Sequence, residues 1–351
     1  MRRGRSGRVL ITGGAGFIGA NLADRLAGEG CSVTVVDTLA RPGVERNLQW
    51  LSGRHGDRIR HLSVDVRNAA AVEAAAEAAD VVFHFAAQVA VTTSLTAPRH
   101  DFEVNLLGTL NVLEAARAHG APVIFASTNK VYGDLGDIPL ELVEDAWQPA
   151  DESLRHRGVG EDRPLDFHTP YGCSKGGADQ YVIDYARSYG LPACVLRMSC
   201  IYGPRQMGTE DQGWVAHFMI RALNGEPITL YGDGRQVRDI LHVDDAVDAY
   251  LAAWERIDRV KGRAFNLGGG PANAVSLRQL IAHIEQLTGR RATLAFEDWR
   301  AGDQRYFVAD ATAAREALGL REPVAWREGV ADLAAWLQSE TRAAAPEAAV
   351  A

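Results

Sequence analysis

The chain has 351 residues, 47% of them hydrophobic and 23% charged, the mixture of a folded globular protein rather than a fibrous or largely unstructured one. That length suits two packed lobes, and no stretch reaches the ~20 apolar residues a membrane helix needs. A formal net charge of −8 gives no bulk attraction toward nucleic acid or a membrane surface.

The basic start lacks a small-residue cleavage site and reads as a short disordered tail over residues 1–7. Arg8–Thr12 is an apolar strand that runs into Gly13-Gly14-Ala15-Gly16-Phe17-Ile18-Gly19. Helical spacing follows from about Phe17 to Ala27. Glycine lets a backbone approach a pyrophosphate, and a helix N-terminus offers free N–H groups and positive partial charge. Gly13, Gly16, Phe17, Ile18 and Gly19 are therefore expected to hold a dinucleotide. The next strand ends in Asp37. A carboxylate there can accept both ribose hydroxyls and repels a 2′-phosphate, which favours NAD over NADP.

Ile59–Val66 is strand-like and ends in Asp65-Val66. Asp65 either meets an adenine amino group or serves only as a turn residue. An alanine-rich helix follows over about Ala69–Ala79, then a strand over Val81–Ala86. Phe85-Ala86-Ala87 keep the end of that strand small, leaving room for a dinucleotide. Asp101–His119 reads as one amphipathic helix. Its Asn105 either pins the backbone near the site or makes an ordinary structural contact, since a buried amide needs partners. Val123–Thr128 is another strand, ending in Ser127 and Thr128. Strands and helices in this alternation predict a Rossmann-like, doubly wound parallel sheet over residues 8–200.

Asp134–His168 has little periodicity and exceeds an ordinary loop, so a flap is expected there. Thr169-Pro170 fit a helix cap and first turn, and the helix runs to about Tyr189. Tyr171 and Lys175 fall on one face of it, a turn apart. An ammonium beside a phenol favours the phenolate, and a fall in the phenol's pKa from ~10 to about 7 would make Tyr171 a base near neutrality. Chance explains the pair poorly, because only three of the 37 basic residues are lysine: Lys130, Lys175 and Lys261. A hydroxyl at the end of a neighbouring strand, Thr128, can hold a substrate oxygen that becomes a ketone.

Beyond Ala193–Ser199 the pattern is mixed. Helices fit Trp214–Leu223, Val243–Ile257, Ser276–Leu287, Thr312–Leu318 and Glu328–Gln338. Strands fit Ile228–Tyr231 and Val237–His242. A smaller α/β substrate lobe over 201–340 is expected, with a frayed tail over 341–351. Cys31, Cys173, Cys194 and Cys200 show no metal-ligand spacing and read as reduced thiols of a cytoplasmic protein, with no metal site.

Together these segments resemble the extended short-chain dehydrogenase/reductase family, in its nucleotide-sugar-modifying branch. The resemblance rests on Gly13–Gly19, Asp37, His84-Phe85-Ala86-Ala87, Asn105, Val131-Tyr132-Gly133, Tyr171–Lys175, Tyr202-Gly203-Pro204-Arg205 and Arg238–Asp245. It implies a tightly bound, recycled NAD and a catalytic trio of Thr128, Tyr171 and Lys175. It also implies substrate contacts from Arg205, Arg238, Arg300 and Asp303, with Asn129 orienting the sugar. For Arg238 a plain salt bridge fits the residue type equally well. Longer strings, Ser127–Asp134, Leu165–Gly176, Asp211–Val215 and Asp303–Asp310, are similar to epimerases that invert C2 of a CDP-linked hexose through a transient 2-keto sugar. Dehydratases of the family carry an acidic pair after the threonine; Asn129 and Lys130 stand there instead and cannot act as a carboxylate acid–base pair. A 4-epimerase is the next reading, then a 4,6-dehydratase or reductase, then a noncatalytic dinucleotide sensor. The family also implies a homodimer.

Overall fold

The computed structural model describes residues 6–300 and 302–344. Most of the two expected tails, 1–7 and 341–351, lies outside the described residues. Thr341–Ala344, expected to fray, continue the last helix, Trp326–Ala344.

In chain order the strands are β1 (Arg8–Thr12), β2 (Ser32–Val36), β3 (Ile59–Leu62), β4 (Val81–His84), β5 (Val123–Thr128), β6 (Leu140–Val143), β7 (Ala146–Pro149), β8 (Ala193–Met198), β9 (Cys200–Tyr202), β10 (Ile228–Tyr231), β11 (Val237–His242), β12 (Ala264–Leu267), β13 (Ala274–Ser276), β14 (Leu294–Glu297) and β15 (Tyr306–Phe307). Seven of them form one parallel sheet in the order β12-β8-β5-β4-β1-β2-β3. Central strands are apolar throughout because helices cover both faces; every residue of β4 and β5 is buried. One face packs Leu22, Leu26 and Tyr250 against Ile11 and Phe83, the other Val112, Leu113 and Val182 against Leu10 and Phe125. From β1 the chain winds one way to β2 and β3 and the other way to β4, β5 and β8. The reversal opens a crevice at the carboxyl ends of β1 and β4, where such sheets bind ligands.

The second lobe is built on β11, which pairs with β9, β13 and β15. Its own core gathers Phe218, Met219, Ile228, Leu280, Ile284, Val330 and Leu333. The chain exchanges strands between the two sheets: after building β11, it returns to supply β12 to the edge of the large sheet, in register with β8.

Three segments differ from the sequence expectations. Pro98–His119 is not one regular helix: a π-helical stretch, Glu103–Leu107, separates Pro98–Phe102 from Gly108–His119. The wider turn accommodates Asn105, whose side chain reaches the backbone of Gln88. Segment 134–168 carries structure of its own. It contains a β6–β7 hairpin and a helix, Glu152–Arg157, capped by Asp151. A helix at Val44–His55 lies between β2 and β3.

Candidate active site

Thr128 ends β5, and Tyr171 and Lys175 lie in the first two turns of the Thr169–Tyr189 helix. His168 occupies the cap position there. Thr169, expected as the cap, is the first helical residue, and its hydroxyl accepts from the Gly172 N–H at 3.4 Å. Thr128, Tyr171 and Lys175 are all buried. Burial pushes the Tyr171 phenol up to about 12, and hydrogen bonding with the Thr128 side chain works against that rise. Burial pulls the Lys175 ammonium down to about 7, opposed by Asp179 and Asp101.

This differs from the expectation that Lys175 lowers the phenol. The ammonium donates to the Ala126 carbonyl at 2.6 Å and sits over the Phe125 ring at 4.1 Å. Desolvation disfavours the charged form of each and is the largest influence on both. A phenol hydrogen-bonded to a threonine, with an ammonium one helical turn on, can still move a proton to or from an alcohol.

The crevice beside the trio, about 420 Å³, is lined by Gly13, Gly16, Phe17, Ile18, Gly19, Asp37, Asp65, Val66, Phe85, Ala86, Ala87, Ser127, Tyr171 and Lys175. Of the residues expected to meet a dinucleotide, only Asn105 stands outside the lining. It is buried behind the wall, accepting from the Gln88 N–H at 2.8 Å and donating to Asp101 at 3.1 Å. Its role is to brace the Gln88 backbone. Asp65 is gripped by Arg67, which holds its carboxyl below the usual range.

The crevice fits a dinucleotide diphosphate. Gly13 has φ +67°, and a Cβ there would lie 2.7 Å from the Ala86 nitrogen. A Cβ on Gly19 would lie 2.5 Å from the Gly13 carbonyl oxygen. Glycine is thus enforced at both ends of the loop. The helix that follows, Phe17–Glu29, has no side-chain cap and no acidic residue in its first turn, so its N–H groups are free for an anion. Asp37 accepts from the N–H groups of Ala15 and Leu39, at 3.1 and 2.9 Å. Those bonds aim a carboxylate into the crevice.

A second cavity of about 320 Å³ adjoins the first, and Gln212 lines both. Its walls bring together Asn129, Lys130, Arg238, Arg300 and Asp303 with Trp214 and Tyr231. Arg238 is buried and donates to Asp303 at 2.7 Å and to the Gln304 carbonyl at 2.6 Å. Arg300 lies over the Tyr231 ring at 3.7 Å and donates to the Glu210 carbonyl at 3.0 Å. Asn129 donates to Gln304 at 3.1 Å.

Arg205 is not brought to this cavity. Its guanidinium lies over Trp50 at 3.9 Å and near Trp336 at 5.5 Å, so it ties the last helix to the Val44–His55 helix. Sequence reasoning passed over Asp179, which faces Lys175 from one turn further along the same helix. The spacing from 175 to 179 is a readable signal. Gln304 was also passed over; it donates to the Gly133 carbonyl at 2.6 Å and joins the two lobes.

The model of the family described as "Epimerase: NAD dependent epimerase/dehydratase family" matches residues 9–268. The chain belongs to this family. Among epimerase/dehydratase relatives, CDP-paratose 2-epimerase of Salmonella typhi is 40% identical over 95% of this chain and 99% of its own. The crystal structure of UDP-glucose 4-epimerase from Thermotoga maritima, with UDP-glucose, superposes with TM-score 0.82 at 31% identity, covering 95% of this chain and 99% of that one. That of the Thermus thermophilus UDP-glucose 4-epimerase, in complex with NAD, gives TM-score 0.78 at 32% identity, covering 94% and 99%. The epimerase/dehydratase fold is thus a Rossmann-type sheet with a second α/β lobe, as the alternation of elements predicts.

Proposed function

We propose that the protein is an NAD-dependent epimerase that inverts C2 of a CDP-linked hexose of the paratose/tyvelose type. The observation that carries the reading is the placement of Tyr171 and Lys175 on the wall of the glycine-loop crevice, beside a second cavity lined by arginines. The 40% identity to CDP-paratose 2-epimerase over nearly the whole chain supports C2 and the cytidine nucleotide.

When bound, NAD supplies a nicotinamide that takes a hydride from a sugar carbon and returns it. The chain's own residues do the rest. The glycine loop and its helix hold the pyrophosphate, Asp37 the adenosine ribose, and Asp65 and Val66 the adenine end. Arg238 and Arg300 bind the sugar nucleotide's diphosphate, since guanidinium forks match phosphate oxygens. Thr128 holds the C2 oxygen. Tyr171 takes the C2 hydroxyl proton and gives it back to the ketone oxygen. Lys175, anchored on the Ala126 carbonyl, keeps its ammonium on the crevice wall one helical turn from the phenol. Asn129 orients the sugar through its link to Gln304.

The test is NMR of CDP-paratose incubated with the enzyme in deuterated water. The expected outcome is inversion at C2 with the original C2 hydrogen retained. Wash-in of solvent deuterium at C2 would replace hydride return by a deprotonation route. Inversion at C4 would support the second reading, a 4-epimerase, which the similarity to UDP-glucose 4-epimerases favours. Loss of water would mark a dehydratase, for which residues 129 and 130 offer no carboxylate.

The protein is further proposed to act as a cytoplasmic homodimer. No helix among the described residues is long and apolar enough to cross a membrane. Leu107, Tyr181 and Tyr189 are exposed on the Glu103–Leu107 and Thr169–Tyr189 helical segments, apolar surface that a second copy could cover.

A further inference from the structure

The sugar-nucleotide cavity holds a cation that the contacts above leave without a task. Lys130 follows Thr128 by two residues, and its backbone N–H donates to the Thr128 hydroxyl at 3.2 Å. Its side chain runs into the cavity that also exposes Arg238 and Arg300. The ammonium donates to the Gly302 carbonyl at 3.0 Å and stands 3.7 Å from Asp303 Oδ1. Arg238 takes that same oxygen at 2.7 Å. One carboxylate therefore serves two cations, and arginine has the closer claim. Burial draws the ammonium down to about 8, with Asp303 the main opposing influence.

The plain structural reading is that Lys130 braces the 302–303 turn. It accounts for the Gly302 bond. It does not account for a charged group, since a neutral amide donates to a carbonyl without the cost of burying an ammonium. A compact point charge in a cavity wall beside an arginine suits a phosphate oxygen.

Sugar geometry says which phosphate. In a hexose joined through C1 to a diphosphate, C2 is the next ring atom, while C4 lies across the ring. An enzyme that presents C2 to Tyr171 must bring the β-phosphate close to the catalytic threonine. One that presents C4 holds it about a ring's width away. Among the cations of this wall, Lys130 lies nearest Thr128 in the chain, two residues on and tied to its hydroxyl through the backbone N–H.

We infer that Lys130 binds the β-phosphate of the substrate together with Arg238, and that this contact selects C2 as the reacting carbon. The inference rests on the C2 reading proposed above. Asp303 stays paired with Arg238 when the ammonium turns to the phosphate, so no carboxylate is stranded.

Calorimetric binding of CDP and CMP to the wild type, K130M and K130Q tests it. K130M is expected to weaken CDP by about tenfold and CMP by less than about twofold, the pattern for one charge-assisted contact to the terminal phosphate. K130Q keeps a donor for Gly302 and is expected to match K130M. Equal weakening of CDP and CMP, or none, overturns the phosphate contact. Restoration of CDP binding in K130Q overturns it too, in favour of bracing. Folding is checked separately by the NAD content of each variant, and a variant without NAD is replaced by K130R, expected to restore CDP binding to within about threefold; failure of K130R counts against the contact. A wild-type enzyme that inverts C4 removes the C2 selection whatever the CDP-to-CMP ratio, so the two failures read differently.

Discussion

Asp179 and Arg197 meet in a buried two-pronged ion pair, 2.9 Å on each arm. Asp179 Oδ2 also accepts from the Ser127 hydroxyl at 2.8 Å. Arg197 donates to the Tyr132 hydroxyl at 3.0 Å, and Tyr132 donates to Asn266 at 2.8 Å. The pair thus fastens the catalytic helix to β5, β8 and β12 just behind Lys175. Removing one partner strands a buried charge, which costs about 3–5 kcal/mol. Asp179→Leu is expected to lose that much in urea unfolding. The double variant Asp179→Leu/Arg197→Met should recover most of it, because neither charge is then orphaned. Additive losses would show that the two residues do not act as a pair.

Tyr171→Phe removes one oxygen and keeps the ring on the crevice wall. Turnover is expected to fall by about 10²–10⁴-fold, the worth of a positioned proton donor. Stability and NAD content should be unchanged, since the described structure gives the hydroxyl only its contact with Thr128. A single-turnover measurement that left the rate within about tenfold of the wild type would move the proton transfer to another group.

The two buried lysines set a pH dependence of stability. In the folded protein Lys175 falls to about 7 and Lys130 to about 8, against 10.5 for a free side chain. Below those values both are charged in both states, and the cost of burying the charge is fully present. As pH rises toward the unfolded value, the unfolded chain binds more protons than the folded one, so the free energy of unfolding increases. Thermal melts of cofactor-free protein should therefore climb between about pH 7 and 9. Lys175→Met should flatten the climb. An unchanged slope in that variant would mean that Lys175 is not the titrating group.

Arg205 separates substrate binding from architecture. Its guanidinium bridges Trp50 and Trp336 and lies 3.7 Å from Glu340, outside the wall that Arg238 lines. Arg205→Ala is expected to cost about 1–2 kcal/mol of stability through lost cation–π contact. CDP affinity should stay within about twofold of the wild type. A larger fall in affinity with stability preserved would return Arg205 to the substrate contacts.

Much of the fold was legible where a single period ran uninterrupted. Arg8–Thr12, Val123–Thr128, Ile228–Tyr231, Val237–His242 and Thr312–Leu318 have the expected bounds, because their apolar spacing and flanking turns agree. The π-helical turn at Glu103–Leu107 could not be read, since one extra residue shifts the phase of the apolar stripe by less than the width of a buried helix face. It is the Gln88 contact of Asn105 that selects it. β12 was invisible for another reason. Four residues, Ala264–Leu267, carry too little pattern to mark a strand, and only the waiting edge of β8 gives them one. At the site, residue types and spacing pointed to the trio and the glycine loop. They could not show that Lys175 turns its ammonium to the Ala126 carbonyl, because that bond spans 49 positions of chain.

The late return of the chain to β8 makes the nucleotide-binding half dependent on sequence that lies in the middle of the other half. A gene truncated after residue 200 would encode the whole Gly13–Gly19 loop and the Thr128, Tyr171 and Lys175 trio, yet leave β8 without its outer neighbour and Tyr132 without Asn266. Such a fragment would present a bare, apolar sheet margin to its own copies, an invitation to aggregate. On a ribosome, the first half would have to wait for residue 267 to emerge before its sheet was complete.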